Sequence, residues 1–340
     1  MTRRLLIVLL CILAVLGGGS FAAWRWAAGR MEQGFADWRQ NMAAQGWTVR
    51  AGAMARGGWP LAAQLTVDDV AIAGGTDSIP GGVAYGAGRV TIRFDPLQPD
   101  VVTVLGSGPQ SLRVGPGPAL AFTAARLIVT VPVAQPTSAA LDAGDLRFAA
   151  PVEGLSIGLL QGQTDWHDPK KLALRLSAEA IALPPPPAPQ APLGPHIASA
   201  TIEGDVSGTF PANAPSPAAG AAAWRDSGGA VLLRRIALGW GPLGAAGSAT
   251  LKLDPALQPD IAAKLRLVGV NETLDALATA QAITPRAAQA AKAVAGLIAQ
   301  APEGSGVPGV EVPLTLHDGR VSMGMIPLAT VGKLNWPEAP

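Results

Sequence analysis

Apolar positions along this chain follow three different periods. The first is an unbroken run. Residues 5–24 carry no charge and consist of Leu, Ile, Val, Ala and Gly with Cys11, Ser20, Phe21 and Trp24. At helical rise such a run reaches roughly 30 Å, the hydrocarbon thickness of a bilayer, so residues 1–24 are predicted to be a transmembrane anchor. Arg3 and Arg4 bias the N-terminus to the cytoplasm and the remaining chain to the far side of the membrane.

The second period is helical. Trp24, Ala28, Met31, Phe35, Trp38 and Met42 recur every three or four residues, while Arg25, Glu32, Asp37, Arg39 and Gln40 fall off that stripe. The spacing predicts that residues 25–46 continue as a helix outside the membrane and stop near Gly46. Trp24, Arg25 and Trp26 suit the membrane–water interface. A cleaved signal peptide is the alternative, with residues 5–16 as its apolar core and Ser20-Phe21-Ala22 as a small-x-small site. The continuing stripe favours a retained anchor. It is read as packing on the following domain, because it is too short to argue a coiled-coil dimer.

The third period is two. Gln64-Leu65-Thr66-Val67-Asp68, Arg89-Val90-Thr91-Ile92-Arg93-Phe94 and Arg126-Leu127-Ile128-Val129-Thr130-Val131 alternate. So do Leu172-Ala173-Leu174-Arg175-Leu176-Ser177, Ala200 to Val206, Thr250-Leu251-Lys252-Leu253 and Lys264-Leu265-Arg266-Leu267. Alternation predicts strands with one buried and one polar face. Glu311 to Leu316 and Val321-Ser322-Met323, separated by His317-Asp318-Gly319-Arg320, predict a hairpin turning on Asp-Gly. Helices interrupt the strands near residues 272–300: Asn271 is read as the cap of one starting at Glu272, and Thr284-Pro285 opens another running to about Gln300. An Ala-rich stretch around residues 215–224 predicts a shorter helix. The Pro-rich segment 184–195 is read as a stiff, extended surface loop. It divides the body into β-rich halves, residues 47–183 and residues 196–335, as two domains or merely two strands.

An internal echo supports two halves. Phe94-Asp95-Pro96-Leu97-Gln98-Pro99-Asp100-Val101 is answered by Leu253-Asp254-Pro255-Ala256-Leu257-Gln258-Pro259-Asp260-Ile261. Tryptophan-Pro corners precede them, Trp59-Pro60 and Trp240-Gly241-Pro242. Duplication of a sheet unit and convergent turn chemistry both account for the match, and duplication is favoured. The fold expected is mainly β (α+β): a transmembrane helix, then a large curved antiparallel sheet from two halves, with the late helix pair packed on it.

Composition narrows the chemistry. A net charge of +1 and a 14% share of charged residues give no electrostatic reason to expect nucleic acid. The lone Cys11 excludes a disulfide. With one Tyr and six Phe, the core must be built from Val, Leu, Ile and Ala, which favours extended sheet over a deep globule. Gly154-Leu155-Ser156-Ile157-Gly158 matches the nucleophile elbow of serine hydrolases, but its flanks read as strand without a helix start. His167, His196 and His317 lie apart, in no metal spacing. Asp68-Asp69 is read as a hairpin end, and Gly106-Ser107-Gly108-Pro109 as a rigid turn rather than a phosphate loop. Neither an enzyme nor a cofactor or metal is expected. The residues singled out, for an apolar groove or for structural corners, are Trp59, Pro60, Trp224, Trp240 and Pro242; Trp166 is a further groove candidate.

Several of these residues carry a resemblance. Arg56-Gly57-Gly58-Trp59-Pro60-Leu61, Trp224 to Gly229, Trp240-Gly241-Pro242-Leu243, Leu253-Asp254 through Gln258-Pro259, and Val312 to Val321 resemble an alphaproteobacterial family, domain of unknown function 2125. The resemblance runs from the anchor to about residue 328. It implies an N-terminal span and an exported, strand-rich body, and brings no active site. In plan alone the chain is similar to AsmA-like envelope proteins, which implies lipid handling in a hydrophobic sheet groove. The expectation is a single-pass protein of the bacterial inner membrane with a periplasmic body. It would bind a lipid or other apolar ligand in a sheet groove. The alternative is an envelope scaffold that binds a protein partner, and a serine hydrolase at Ser156 is a distant third.

Overall fold

The computed structural model describes residues 2–76, 79, 81–168, 170–184, 192–209, 211, 214–298, 309–324 and 326–336, with side chains from residue 17 onward except at 297, 298 and 328. The chain opens with one uninterrupted helix, α1 (Thr2–Ala44), which joins the predicted anchor to the predicted outer helix. Among the described residues no helix is long and apolar enough to cross a membrane. The side chains of residues 5–16, most of the predicted span, lie outside the described residues. The helix ends where expected. Gly46 takes φ +79°, its N–H bonds Ala43 O, and the Trp47 N–H reaches back to Met42 O, which caps the last turn in a Schellman motif.

Every described strand after α1 belongs to one antiparallel sheet. Its first strands are β1 (Thr48–Arg50), β2 (Met54–Gly57), β3 (Ala63–Gly74), β4 (Val83–Phe94) and β5 (Val101–Val114). Next come β6 (Leu120–Thr123), β7 (Arg126–Pro132), β8 (Ser138–Phe148), β9 (Ser156–Asp165), β10 (Lys171–Ala182) and β11 (His196–Ser207). The short helix α2 (Pro217–Asp226) precedes β12 (Ala230–Trp240), β13 (Leu243–Leu253) and β14 (Pro259–Val268). Helices α3 (Val270–Thr279) and α4 (Pro285–Ile298) then lead to β15 (Val310–His317), β16 (Arg320–Met323) and β17 (Ile326–Thr330).

The topology is a meander. From β3 to β17 each strand pairs with its predecessor, save that β6 and β7 act as one interrupted strand between β5 and β8. Both β1 and β2 pair with β3. The strands on either side of the Pro-rich segment pair with each other, so the two halves of the body share the sheet. Residues 185–191 of that segment lie outside the described residues.

The runs predicted as strands from alternation lie in β3, β4, β7, β10, β11, β13, β14 and β15. The Asp-Gly hairpin forms as expected, with Asp318 at φ +49° and Gly319 at φ +71°, the left-handed pair that a type I′ turn requires. Both echo segments form hairpin turns. Asp95 Oδ1 accepts the Leu97 N–H at 3.0 Å, and Asp254 Oδ1 accepts the Gln258 N–H at 2.7 Å. The corners do not correspond, however. Two strands, β3 and β4, separate Trp59-Pro60 from its echo turn, whereas only β13 separates Trp240 from the other.

Some expectations need correcting. Helix α3 starts at Val270 with Gly269 as its cap, not at Glu272 with Asn271. A side chain at Gly269 would collide with the Pro242 carbonyl, so the tight exit from β14 sets the helix start. Gly106-Ser107-Gly108-Pro109 is not a turn; it lies inside β5. Asp68-Asp69 is not a hairpin end; it lies inside β3.

Both misreadings fall on one feature, a crease that crosses the sheet. Asp69 (φ +49°) stands opposite Gly88, which faces Gly108 (φ +76°) and Pro109 across a register shift. Farther along, Asp145 (φ +50°) faces Gly158, which faces Ala180 (φ +52°). The break between β6 and β7 lies on the same line. At the crease the alternation loses a step, as at a β-bulge. Val67 and Val70 are therefore both buried, and so are Ala143 and Leu146, although the members of each pair are three positions apart. Gly and Asp serve here because they tolerate the left-handed backbone that most residues avoid.

The helices pack on one face of the sheet, hereafter the inner face. Helix α1 packs on β3 and β1, where Met31 and Phe35 cover Leu65 and Val67, both 0% exposed. Helices α3 and α4 form the expected late pair, and Ala295 of α4 joins Val310 and Val312 of β15 in a second small core.

Candidate functional site

The inner face holds an apolar trough. Helix α1 is docked at its β3 side. Trp24 Nε1 donates to Gly57 O at 2.9 Å, Glu32 pairs with Arg56, and the Leu65–Val67–Val70 cluster lies beneath Met31 and Phe35. Beyond β3, helix and sheet diverge. The wedge between them is a cavity of about 550 Å³, bounded by Met31, Gly34, Phe35 and Trp38 above. Its floor is formed by Val70 and Ile72 of β3, Tyr85, Val90 and Ile92 of β4, Val102, Val104 and Gly106 of β5, and Leu127 and Val129 of β7. No lining residue carries a charge. Volume and chemistry match those of small-ligand sites, which are concave and mainly apolar.

One end of the trough is polar. Tyr85 Oη donates to Gln110 Oε1 at 2.7 Å, and Gln110 is 3% exposed. Gln110 pairs with Ala87, so it faces inward just past the crease. Its amide occupies the space where a side chain at Gly106 would project: a Cβ there would meet Gln110 Oε1 at 3.2 Å and Nε2 at 3.3 Å. Among the described residues Gln110 Nε2 has no hydrogen-bond partner. Burial pushes the Tyr85 phenol above its usual pKa, which keeps it a neutral donor. Sequence reasoning missed this pair. The signal was present, since Gln110 falls on the same alternate positions of β5 as Val102, Val104 and Leu112.

The apolar face does not stop at the trough. A register row runs from Val129 through Leu141, Gly162 and Leu176 to Ile202 and Ile236. Leu172, Leu174, Leu176 and Ile202 on this face are each more than a third exposed. A row two steps away on the same face, from Leu172 through Val206 and Val231 to Leu251, enters a second cavity, of about 320 Å³, under α2. Trp224, Leu334 and Trp336 help to line it.

The residues singled out from the sequence are dispersed. Trp224 is buried, donates from Nε1 to Ser207 O at 2.7 Å and lines the second cavity. Trp240 ends β12 and donates to Gly194 O at 2.9 Å, roughly 30 Å along the strand from Trp224 at strand rise. Pro242 follows it in the β12–β13 turn. Trp59 and Pro60, joined by a cis peptide bond, form the β2–β3 loop beside the helix. There Trp59 makes an edge-on contact with Phe21, with ring centroids 6.1 Å apart. Trp166 is exposed in the loop after β9. None of these six residues lines the trough.

The remaining candidates stay apart. Ser156 opens β9, and the element after that strand is β10 rather than a helix. His167 lies past the far end of that strand, while His196 shares a register row with Ser156 through Ala182. Two strand spacings are about 10 Å, beyond hydrogen-bond reach. Among the described residues no cluster of His, Cys, Asp or Glu is arranged to hold a metal. Asp68 pairs with Arg89 at 2.7 Å and Asp142 with Arg126 at 2.5 Å, ordinary cross-strand ion pairs at exposed positions. Neither a curated protein nor a solved structure matches this chain. Residues 24–331, from within α1 through nearly all of the strands, match the family described as "Uncharacterized protein conserved in bacteria (DUF2125)", and the chain belongs to that family.

Proposed function

We propose that this protein is a membrane-tethered, non-enzymatic binding protein that holds an acyl chain or similar apolar ligand in the trough beneath α1. The observation that carries the reading is the cavity of about 550 Å³ whose lining bears no charge. Each buried methylene contributes about 0.8 kcal/mol, so ten supply about 8 kcal/mol before the costs of association. The exposed leucines between the two cavities support the same reading, because a soluble partner-free surface rarely keeps so continuous an apolar strip.

A location at the outer face of the bacterial inner membrane follows from the apolar run of residues 5–24. The β2–β3 loop supports it. Trp59 and Leu61 are 49% and 76% exposed, beside Phe21 and Trp24 where the predicted span ends. Aromatic and aliphatic side chains in that position suit the headgroup region. Native mass spectrometry of gently extracted full-length protein tests the function. A co-purifying lipid, lost when Val104→Trp fills the trough, is expected; lipid-free protein would overturn it.

A second reading, an envelope scaffold, draws on the edge of β17, whose pairing among the described residues is with β16 and where Ile326 is exposed. Crosslinking in intact cells would favour it if one protein partner were captured through β17 with no lipid bound.

A further inference from the structure

The end of the sheet from which α1 leaves carries an apolar rim. Phe21 and Trp24 meet Trp59 and Gly57 at the β2–β3 loop, whereas Met31 and Phe35 lie over Leu65 and Val67, farther along β3. Helix and strand therefore run in the same direction, and the uninterrupted helix carries residues 5–20 out past that loop. The loop exposes Trp59 and Leu61. Beside it, Ala63 pairs with Phe94, so the next tip, the β4–β5 turn, stands about 10 Å away, at two strand spacings. Leu97 in that turn is 89% exposed. The β7–β8 loop comes next, tied to the turn by the Val133 N–H, which donates to Asp100 O at 2.9 Å, and Val133 is 48% exposed.

Single exposed apolar residues are ordinary, but four on three neighbouring tips form a patch, and such patches mark contact sites. The helix identifies what the patch contacts. The uncharged run of residues 5–24 leaves the sheet beside Trp59, so the medium that holds that run begins at this rim. Residues 58–62, 95–100 and 133–137 contain no Lys or Arg, and their charges are Asp95 and Asp100. Anionic headgroups would not draw such a rim in; apolar insertion can. Resting on the membrane-tethered reading above, we infer that these loops insert Leu61, Leu97 and Val133 into the outer leaflet of the inner membrane, as a second contact beside the anchor. The floor of the trough begins at Val102, just after the β4–β5 turn. The contact thus holds the near end of the trough at the lipid surface, where an acyl chain can leave the leaflet without crossing water.

Site-directed fluorescence on the full-length protein in phosphatidylcholine nanodiscs tests this. In a Cys11→Ser background, Leu97→Cys, Val133→Cys and Val114→Cys each carry one nitrobenzoxadiazole label. All three sites are exposed, so the fold tolerates the change. Val114 closes β5 at its opposite end, roughly 40 Å from Leu97 at strand rise, and is the aqueous control. Lipids with a nitroxide near the headgroup end of the acyl chain should quench the labels at 97 and 133 at least about twofold and leave the one at 114 unchanged. Quenching should persist at about 1 M salt, which screens exposed charges. Alkaline carbonate extraction of vesicles holding the same proteins reads the tether separately. If the protein stays in the membrane but aqueous iodide, not lipid, quenches 97 and 133, the inference is overturned while the tether survives, which leaves the rim to a protein partner. Equal lipid quenching at 114, or quenching lost at high salt, also overturns it. If carbonate releases the protein, the tether falls and the inference with it.

Discussion

Val104 is the position from which the trough is best tested. It lies at the centre of the floor, paired with Ile92 on one side and Val129 on the other, with α1 above. Substitution by Trp sends an indole into the wedge. If the wedge is open space, the larger side chain buries on the order of 100 Å² of additional apolar surface, worth about 2.5 kcal/mol at ~25 cal/mol/Å². Loss of rotamer freedom returns about 1 kcal/mol. The net expectation is a stabilisation of about 1–1.5 kcal/mol, or a rise in Tm of about 2–6 °C for a domain of this size. If instead the space is filled by protein, the same change overpacks a core and costs about 1–3 kcal/mol. The two readings thus differ in sign. Thermal unfolding in nanodiscs by far-ultraviolet circular dichroism gives the first number, and titration with methyl cis-parinarate gives the second. Higher Tm with lost probe binding is expected. Destabilisation by more than about 1 kcal/mol with undiminished probe binding would refute the argument.

Three further outcomes are expected. Leu65→Ala removes a fully buried side chain under α1 and should cost about 2–5 kcal/mol, seen as a lower Tm and faster proteolysis of the helix near Met31. Tyr85 carries a phenol pKa raised by burial, so the folded state retains its proton at pH values where the unfolded chain has lost it. Stability should fall as pH rises past about 10, the usual tyrosine value, and a pH series should show a shallower fall in Tyr85→Phe. Trp59→Phe should remove a tryptophan signal that brominated lipids quench in the wild type, if the β2–β3 loop sits at the headgroups; unchanged quenching would place that loop away from the bilayer.

Strands with clean alternation were legible because alternation is itself the imprint of a half-buried face. The same held for the α1 stripe, whose Met31 and Phe35 reach the core, and for Asp318-Gly319, whose backbone needs few residues tolerate. The crease was not legible. At Asp69 and Gly88 the inward set changes parity, so a period-two reading breaks just where the strand continues. Gly106 to Pro109 look like turn residues for the same reason, since a bulge and a turn call on the same left-handed backbone. The trough was out of reach for a different reason. Its walls come from α1 and four strands, and its space arises from the angle between helix and sheet, a quantity that no local pattern encodes. Tryptophans attracted attention as groove residues, yet the floor is mostly valine and isoleucine, whose small size is what leaves the volume.

The meander has a consequence for how the chain can be made. Nearly every strand finds its partner in the strand just before it, and α1 docks on β3 soon after both exist. Loop closures of this kind are entropically cheap, and low contact order goes with fast assembly. No early strand must stay unpaired while it waits for a distant segment. A polypeptide emerging from a pore with its N-terminus first could therefore lay down the sheet one hairpin at a time. Each new strand would cover the edge left by the last, and the trough would be complete once β7 had arrived, with more than half of the body still to be threaded.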